Sequence, residues 1–250
     1  MPPYPDKKTR PTPSQAGSAI IYVFVGVILF GILGLTFSRS MQQSSGDISE
    51  KTAKVGASEI IAYARSIDRA VNKMILNGTS ETDIGFSNSV TTLNAGGGAH
   101  YLGNANCAVA ECEIFDPAGG KVKPRLISSN YVIDNDTLSP AYPMAGAIIP
   151  TVIQVDALGS TDADLAISFF GLKMPVCRAI NASFNLDNPN NQPPVEDNIP
   201  TADYYDGDLT LTTTIVGDTV ADFSGKMDFC YKISGSSPEV YVYSHVLIAR

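Results

Sequence analysis

The sequence predicts an α+β protein, a long N-terminal helix packed on an antiparallel β-sheet domain that carries disulfides. Three observations predict it. Residues Ala19 to Phe37 form an unbroken apolar run with no charge and no proline. From Asp47 to Asn77 there is again no proline, and apolar residues recur at helical steps. Beyond residue 80 the chain breaks into short β-like runs separated by turn residues, and all four cysteines lie there.

The first segment, residues 1–17, reads as a basic cytoplasmic leader. Residues 2–16 are proline-rich and polar and cannot bury a core. Lys7, Lys8 and Arg10 stand against the single acid Asp6, so the formal charge of −8 becomes −10 for the rest of the chain. An excess of Lys and Arg ahead of an apolar run places the N-terminus in the cytoplasm. The run itself reaches ~28 Å as a helix, close to the ~30 Å of a bilayer's hydrocarbon core, which predicts a transmembrane helix over 18–38. It is too long for a secretory signal, and Thr36-Phe37-Ser38-Arg39-Ser40 is a poor cleavage site, so the span is expected to stay.

An amphipathic helix is expected over 39–78. Ile60, Tyr63, Ala64, Ile67, Val71, Met74 and Ile75 draw one apolar stripe, with Arg65, Arg69, Asn72 and Lys73 opposite. Gly78 is a plausible C-cap. The simplest picture joins this helix to the membrane run as one element from Ser18 to Asn77, with Ser44-Ser45-Gly46 as its weak point.

The remainder, 79–250, is expected to be an extracytoplasmic α+β domain. Candidate strands are Asp83–Phe86, Glu111–Phe115, Arg125–Ser128, Ile148–Val155, Leu209–Val216, Phe229–Ile233 and Val240–Ile248. Pro150 confines the fourth to a sheet edge. Asp116-Pro117-Ala118-Gly119-Gly120 reads as a turn, Asp162–Phe169 and Met174–Ala182 as short helices, and Asn185–Asp208 as a long loop. Alternation along Val240–Ile248 predicts one buried and one partly wet face.

The cysteines Cys107, Cys112, Cys177 and Cys230 lie on the exported side, where disulfides form. Three pairings are possible. The five-residue step from Cys107 to Cys112 favours a local loop and leaves Cys177 with Cys230. Zinc is disfavoured, because neither His100 nor His245 stands at a ligand-like spacing beside a Cys pair.

Several function classes are excluded or weakened. The acidic balance and the lack of a basic stripe with interleaved aromatics argue against nucleic acid. There is no Gly-x-Ser-x-Gly, His-Glu-x-x-His or Walker-type loop, and Gly96-Gly97-Gly98 lacks the lysine and helix of a phosphate cradle. The chain is therefore read as a non-enzyme. Asp203, Asp206 and Asp208 cluster in an acidic, turn-rich stretch that is able to offer oxygens to calcium, although the spacing is not that of an EF-hand loop.

A basic leader, a Gly17-Ser18 junction, an apolar helix continuing into an amphipathic one and a disulfide-bearing β domain: this order resembles type IV pilins and the pseudopilins of type II secretion. The resemblance covers residues 1 to about 80 by architecture and the rest by general style. It implies cleavage between Gly17 and Ser18 by a prepilin peptidase, a single-pass protein of the bacterial inner membrane with its C-terminal domain periplasmic or extracellular, and as partners other pilin-like subunits and an inner-membrane assembly platform. Calcium near the C-terminus also occurs in some pseudopilins. Two positions depart from the family pattern. Tyr22 stands where a glutamate is usual, and Ser18 where a methylated phenylalanine is common. A missing glutamate implies a minor subunit of a pilus-like or pseudopilus filament. The alternative is a single-pass membrane protein with a ligand- or partner-binding ectodomain; a membrane-anchored hydrolase ranks last, since no nucleophile–base set can be named.

Overall fold

A computed structural model describes residues 23–28, 48–88, 90, 93–95, 98–100, 103–138, 145–197, 204–210 and 215–250. Two compact units partition the chain, residues 1–47 and 48–250. Of the first, only residues 23–28 are described, and they are helical. Gly17, Ser18, Tyr22 and most of the apolar run lie outside the described residues, and among those described no helix is long and apolar enough to cross a membrane.

The second unit opens with α1, Glu50–Leu76. The single helix expected from Ser18 to Asn77 is corrected here. Ser49 is extended at φ −60°, ψ 149°, and its Oγ accepts from the Thr52 N–H, so α1 starts afresh at Glu50. A serine cap of this kind contributes about 1 kcal/mol. At the other end Gly78 takes φ +97° and donates to the Ile75 carbonyl at 2.9 Å, closing the helix where the sequence places a C-cap. Ala53, Gly56, Ala57, Ile60, Ala64, Ile67, Val71 and Met74 are buried, mostly at steps of three and four, which is the expected stripe.

The strands are β1 Leu93–Ala95, β2 Gly98–His100, β3 Ile148–Val155, β4 Asp164–Leu172, β5 Val195–Glu196, β6 Ile215–Val216, β7 Asp228–Ile233 and β8 Tyr241–Ile248. β1 and β2 form a separate antiparallel pair. The other six make one sheet in the order β5-β7-β8-β4-β3-β6. Its four central strands are antiparallel, and the two-residue outer strands β5 and β6 add in parallel. A second helix, α2, spans Met174–Ser183, with Pro175 in its first turn, where the missing N–H costs nothing.

Both faces of the sheet are dry. On one face Ile148, Val152, Leu165, Ile167, Phe169, Tyr243 and Leu247 pack with α1 and α2. On the other, Ile149, Ile153, Ala166, Phe170, Tyr231, Val242 and Val246 pack under Leu186, Val216 and Phe223. Two expectations fail for this one reason. Asp162–Phe169 is no helix; its greater part lies in β4, a central strand, and a strand buried on both sides shows no alternation. All eight residues of β8 are buried, so no face of it is wet. Ser168 and Ser244 interrupt the apolar run without cost, because their hydroxyls join Thr151 in a chain of 2.9 Å hydrogen bonds across β3, β4 and β8.

Pro150 sits in β3 opposite Ile167. On β3's other side β6 pairs only with Gln154 and Val155, so no ladder bond requires a Pro150 N–H; its carbonyl accepts from Tyr205. Asp83–Phe86 and Glu111–Phe115 are not strands: each overlaps the end of a short 3-10 turn, Glu81–Asp83 and Ala110–Cys112, and the two meet at a single Gly85–Glu113 bridge. Arg125–Ser128 lies outside any strand, and of the described part of Leu209–Val216 only β6 is a strand, with 211–214 outside the described residues.

Disulfides join Cys107 to Cys112 and Cys177 to Cys230, as the spacing favours. The second ties α2 to β7. Beside it the Asn181 side chain acts as a further strand partner: its amide donates to the Cys230 carbonyl at 2.8 Å, and its oxygen accepts the Cys230 N–H at 2.9 Å.

Candidate functional site

The exposed flank of α1 forms a groove with the segment that follows the Asp116–Gly120 turn. Glycine is required in that turn, because a Cβ at Gly119 would lie 2.1 Å from the Glu113 carbonyl and one at Gly120 would lie 2.5 Å from that of Ile114. Residues 121–125 follow outside any helix or strand, with Lys121 at φ +62°, and lie against the helix. Arg125 fixes their position, with its guanidinium 4.4 Å from the centre of the Tyr63 ring and Nη2 donating to the Glu59 carbonyl at 3.2 Å. The Tyr63 hydroxyl donates to the Lys123 carbonyl at 3.0 Å.

The resulting groove encloses about 490 Å³ and is lined by Arg69 and Lys73 from α1 and by Lys121, Lys123 and Arg125 from the crossing segment. Tyr63, Ser66, Ala70, Gly120 and Val122 complete it, and no carboxylate is among the lining residues. An apolar hollow of about 320 Å³ continues it past Phe115, Pro117 and Pro124. All five cations are exposed, and among the described residues none is in an ion pair. Unit 48–250 contains 13 Lys and Arg against 23 Asp and Glu. Five unneutralised cations in one groove of so acidic a domain mark a surface suited to an anion.

A second polar constellation is sealed. Asp228 at the start of β7 faces His245 across the β7–β8 register. Its Oδ1 accepts from the Tyr243 hydroxyl at 2.7 Å and from His245 Nδ1 at 2.8 Å, while Oδ2 accepts from Arg65 Nη2 of α1 at 2.7 Å. Burial acts to raise the Asp228 carboxyl, but the bonds from His245 and Tyr243 and the Arg65 charge outweigh it and hold the group below its usual range. Burial pushes the Tyr243 phenol well up. A His–Asp pair is half of a general-base constellation, yet His245 has no exposed surface, and its Nε2 has no hydrogen-bond partner among the described residues. A base that no substrate can reach performs no chemistry; the cluster anchors α1 to the sheet.

Two other buried carboxylates are in no ion pair among the described residues, although the Arg250 charge acts weakly on Asp164. Asp164 accepts the Val155 and Arg250 N–H groups, which pins residue 250 beside the β3–β4 connection. Glu196 of β5 accepts from the Gly217 N–H at 3.2 Å and from the Thr219 hydroxyl at 2.9 Å, tying the two outer strands' loops together. Burial raises both carboxyls, and for Glu196 the nearby charges of Asp218 and Asp197 add to the rise.

Of the residues singled out from sequence, the four cysteines are paired as expected. Asp203 lies outside the described residues. Asp206 and Asp208 are exposed and accept backbone bonds from Asp208 and Thr210 within their own turn. Among the described residues, no group of three or more His, Cys, Asp or Glu is placed to hold a metal ion. The basic groove escaped the sequence reading because Lys73 and Lys121 are far apart in the chain. The Lys-Val-Lys-Pro-Arg alternation at 121–125 is the one local signal that points to it. No protein-family model matches the chain, and no curated protein or solved structure gives a significant match.

Proposed function

We propose that the chain is a structural, non-catalytic subunit of a pilus-like or pseudopilus filament, held in the bacterial inner membrane by residues 18–38 until assembly. One observation carries the reading. An amphipathic helix, next in sequence after an apolar run and a basic leader, is docked on an antiparallel sheet that a disulfide holds to a second helix. Such a subunit needs one rigid domain behind a helix that exchanges lipid for protein neighbours. Lipid is already apolar, so burial alone gains little in that exchange, and processing plus specific contacts must bias it. The sealed Asp228–His245 pair gives no support to a hydrolase.

The basic groove favours a second reading, a single-pass membrane protein whose ectodomain binds an anionic ligand, without processing at Gly17. N-terminal sequencing of the protein isolated from cells separates the two. A mature chain starting at Ser18 is expected. An intact leader overturns the filament reading and leaves the second.

A further inference from the structure

We infer that the basic groove of one copy receives the acidic loops at the outer strands of a second copy. The inference deepens the filament reading, since it names the contact that joins neighbouring domains. Its first ground is charge. Arg69, Lys73, Lys121, Lys123 and Arg125 are exposed and unpaired in a domain where acids outnumber bases by ten, so each copy carries both a positive groove and an excess of negative surface. Part of that negative surface is held on a fixed frame by Glu196, which accepts from Gly217 and Thr219 and so brings the residues beside it together. Asp197 and Asp218 are exposed there, close enough for their charges to act on Glu196, and Asp222 follows on the same loop.

The second ground is position. The groove belongs to α1, which covers one face of the sheet, whereas Val216 and Phe223 place the acidic loop on the other face. Complementary patches on different faces make a heterologous contact, and a heterologous contact that does not close on itself grows into a filament.

Other polyanions fit less well. The Tyr63 ring is covered by Arg125 and its hydroxyl is bonded to Lys123, so Tyr63 offers no free face for a base to stack on. A nucleic acid or anionic bilayer extends past the groove onto a surface of like charge, within a Debye length of about 8 Å. A peptide loop confines its carboxylates to the groove and lays its apolar atoms on Val122 and Pro124.

The test uses the full chain in neutral detergent. Self-association is read by sedimentation velocity, and the contact by carbodiimide coupling of lysines to carboxylates between isotopically light and heavy copies. The wild type is expected to self-associate, with coupling from Lys121 or Lys123 to Asp197, Asp218 or Asp222, and to dissociate in about 0.5 M salt. Arg69→Glu with Lys73→Glu, or Asp197→Lys with Asp218→Lys, weakens association at least ~10-fold, and all four changes together restore it. A monomeric wild type, association indifferent to the reversals, or failure of the fourfold variant to recover overturns the inference. So does tighter groove-dependent binding of a single-stranded oligonucleotide or of anionic vesicles. A chain starting at Ser18 without restoration keeps the filament reading and loses the contact; restoration with an intact leader does the reverse.

Discussion

The two faces of the sheet each bury a carboxylate, and they stabilise it by opposite means. Asp228, under α1, is met by a guanidinium, an imidazole and a phenol. Glu196, on the loop-covered side, is met by one backbone N–H and one hydroxyl, with two further acids close by. A charge buried with partners of opposite sign ties elements together and is costly to break. A charge buried with neutral donors alone is held at a cost by the rest of the fold. The face under the helix is thus locked by charge, and the far face by packing.

Removing Asp228 is the most severe way to break that contrast. Asp228→Ala leaves the Tyr243 hydroxyl and His245 Nδ1 buried without their acceptor and releases Arg65 from the sheet. A loss of about 3–5 kcal/mol is expected in urea unfolding. The pH dependence has a definite sign. The Asp228 carboxyl lies below its unfolded value of 3.8, so its contribution is complete above that pH and fades as the pH falls through the folded value. The variant should therefore show a flatter acid limb than the wild type below pH 3.8. A parallel limb would mean that the cluster does not set acid stability.

The helix side also depends on a close approach that the sequence marks with its one interior glycine. A Cβ at Gly56 would stand 2.6 Å from Cδ1 of Tyr131 and 2.8–2.9 Å from two more ring atoms. Alanine gains about 1 kcal/mol of helix propensity over glycine, yet overpacking costs roughly 1–3 kcal/mol, and a buried ring cannot swing aside as a flexible chain end can. Gly56→Ala is expected to lower the unfolding free energy by about 1–2 kcal/mol. A stabilised variant would show that Tyr131 yields and that α1 is less tightly seated than its burial indicates.

The same contrast explains what the sequence revealed. Elements with a period or with punctuation were legible: α2 agrees within one residue, β3 to the residue, β7 and β8 within one, and the Gly78 cap in place. β4 was not, because burial on both faces erases alternation, and Ser168 looks polar until Thr151 and Ser244 are placed beside it. The Asp228–His245 pair needs the β7–β8 register, and the basic groove needs a turn that returns residues 121–125 to α1; neither is a local property of the chain. The apolar run and the Gly17-Ser18 junction are plain in the sequence, and all of them but residues 23–28 lie outside the described residues.

The mildest prediction sharpens the comparison from the far face. Glu196→Gln keeps an oxygen for Gly217 or Thr219 and removes a charge that burial and its acidic neighbours disfavour. Because the folded carboxyl lies above its unfolded value of 4.5, folding favours the protonated form. The wild type accordingly gives up stability as the pH rises from about 4.5 through the folded value, and the loss is complete above it. Glutamine cannot ionise, so the variant should equal the wild type within about 0.5 kcal/mol near pH 4 and exceed it by up to ~1 kcal/mol at neutral pH, read from melting curves across pH 4–7. This is the reverse of the Asp228 slope. If both substitutions lower stability most at neutral pH, the two faces do not differ in how they hold charge, and Glu196 must have a cationic partner in the folded protein.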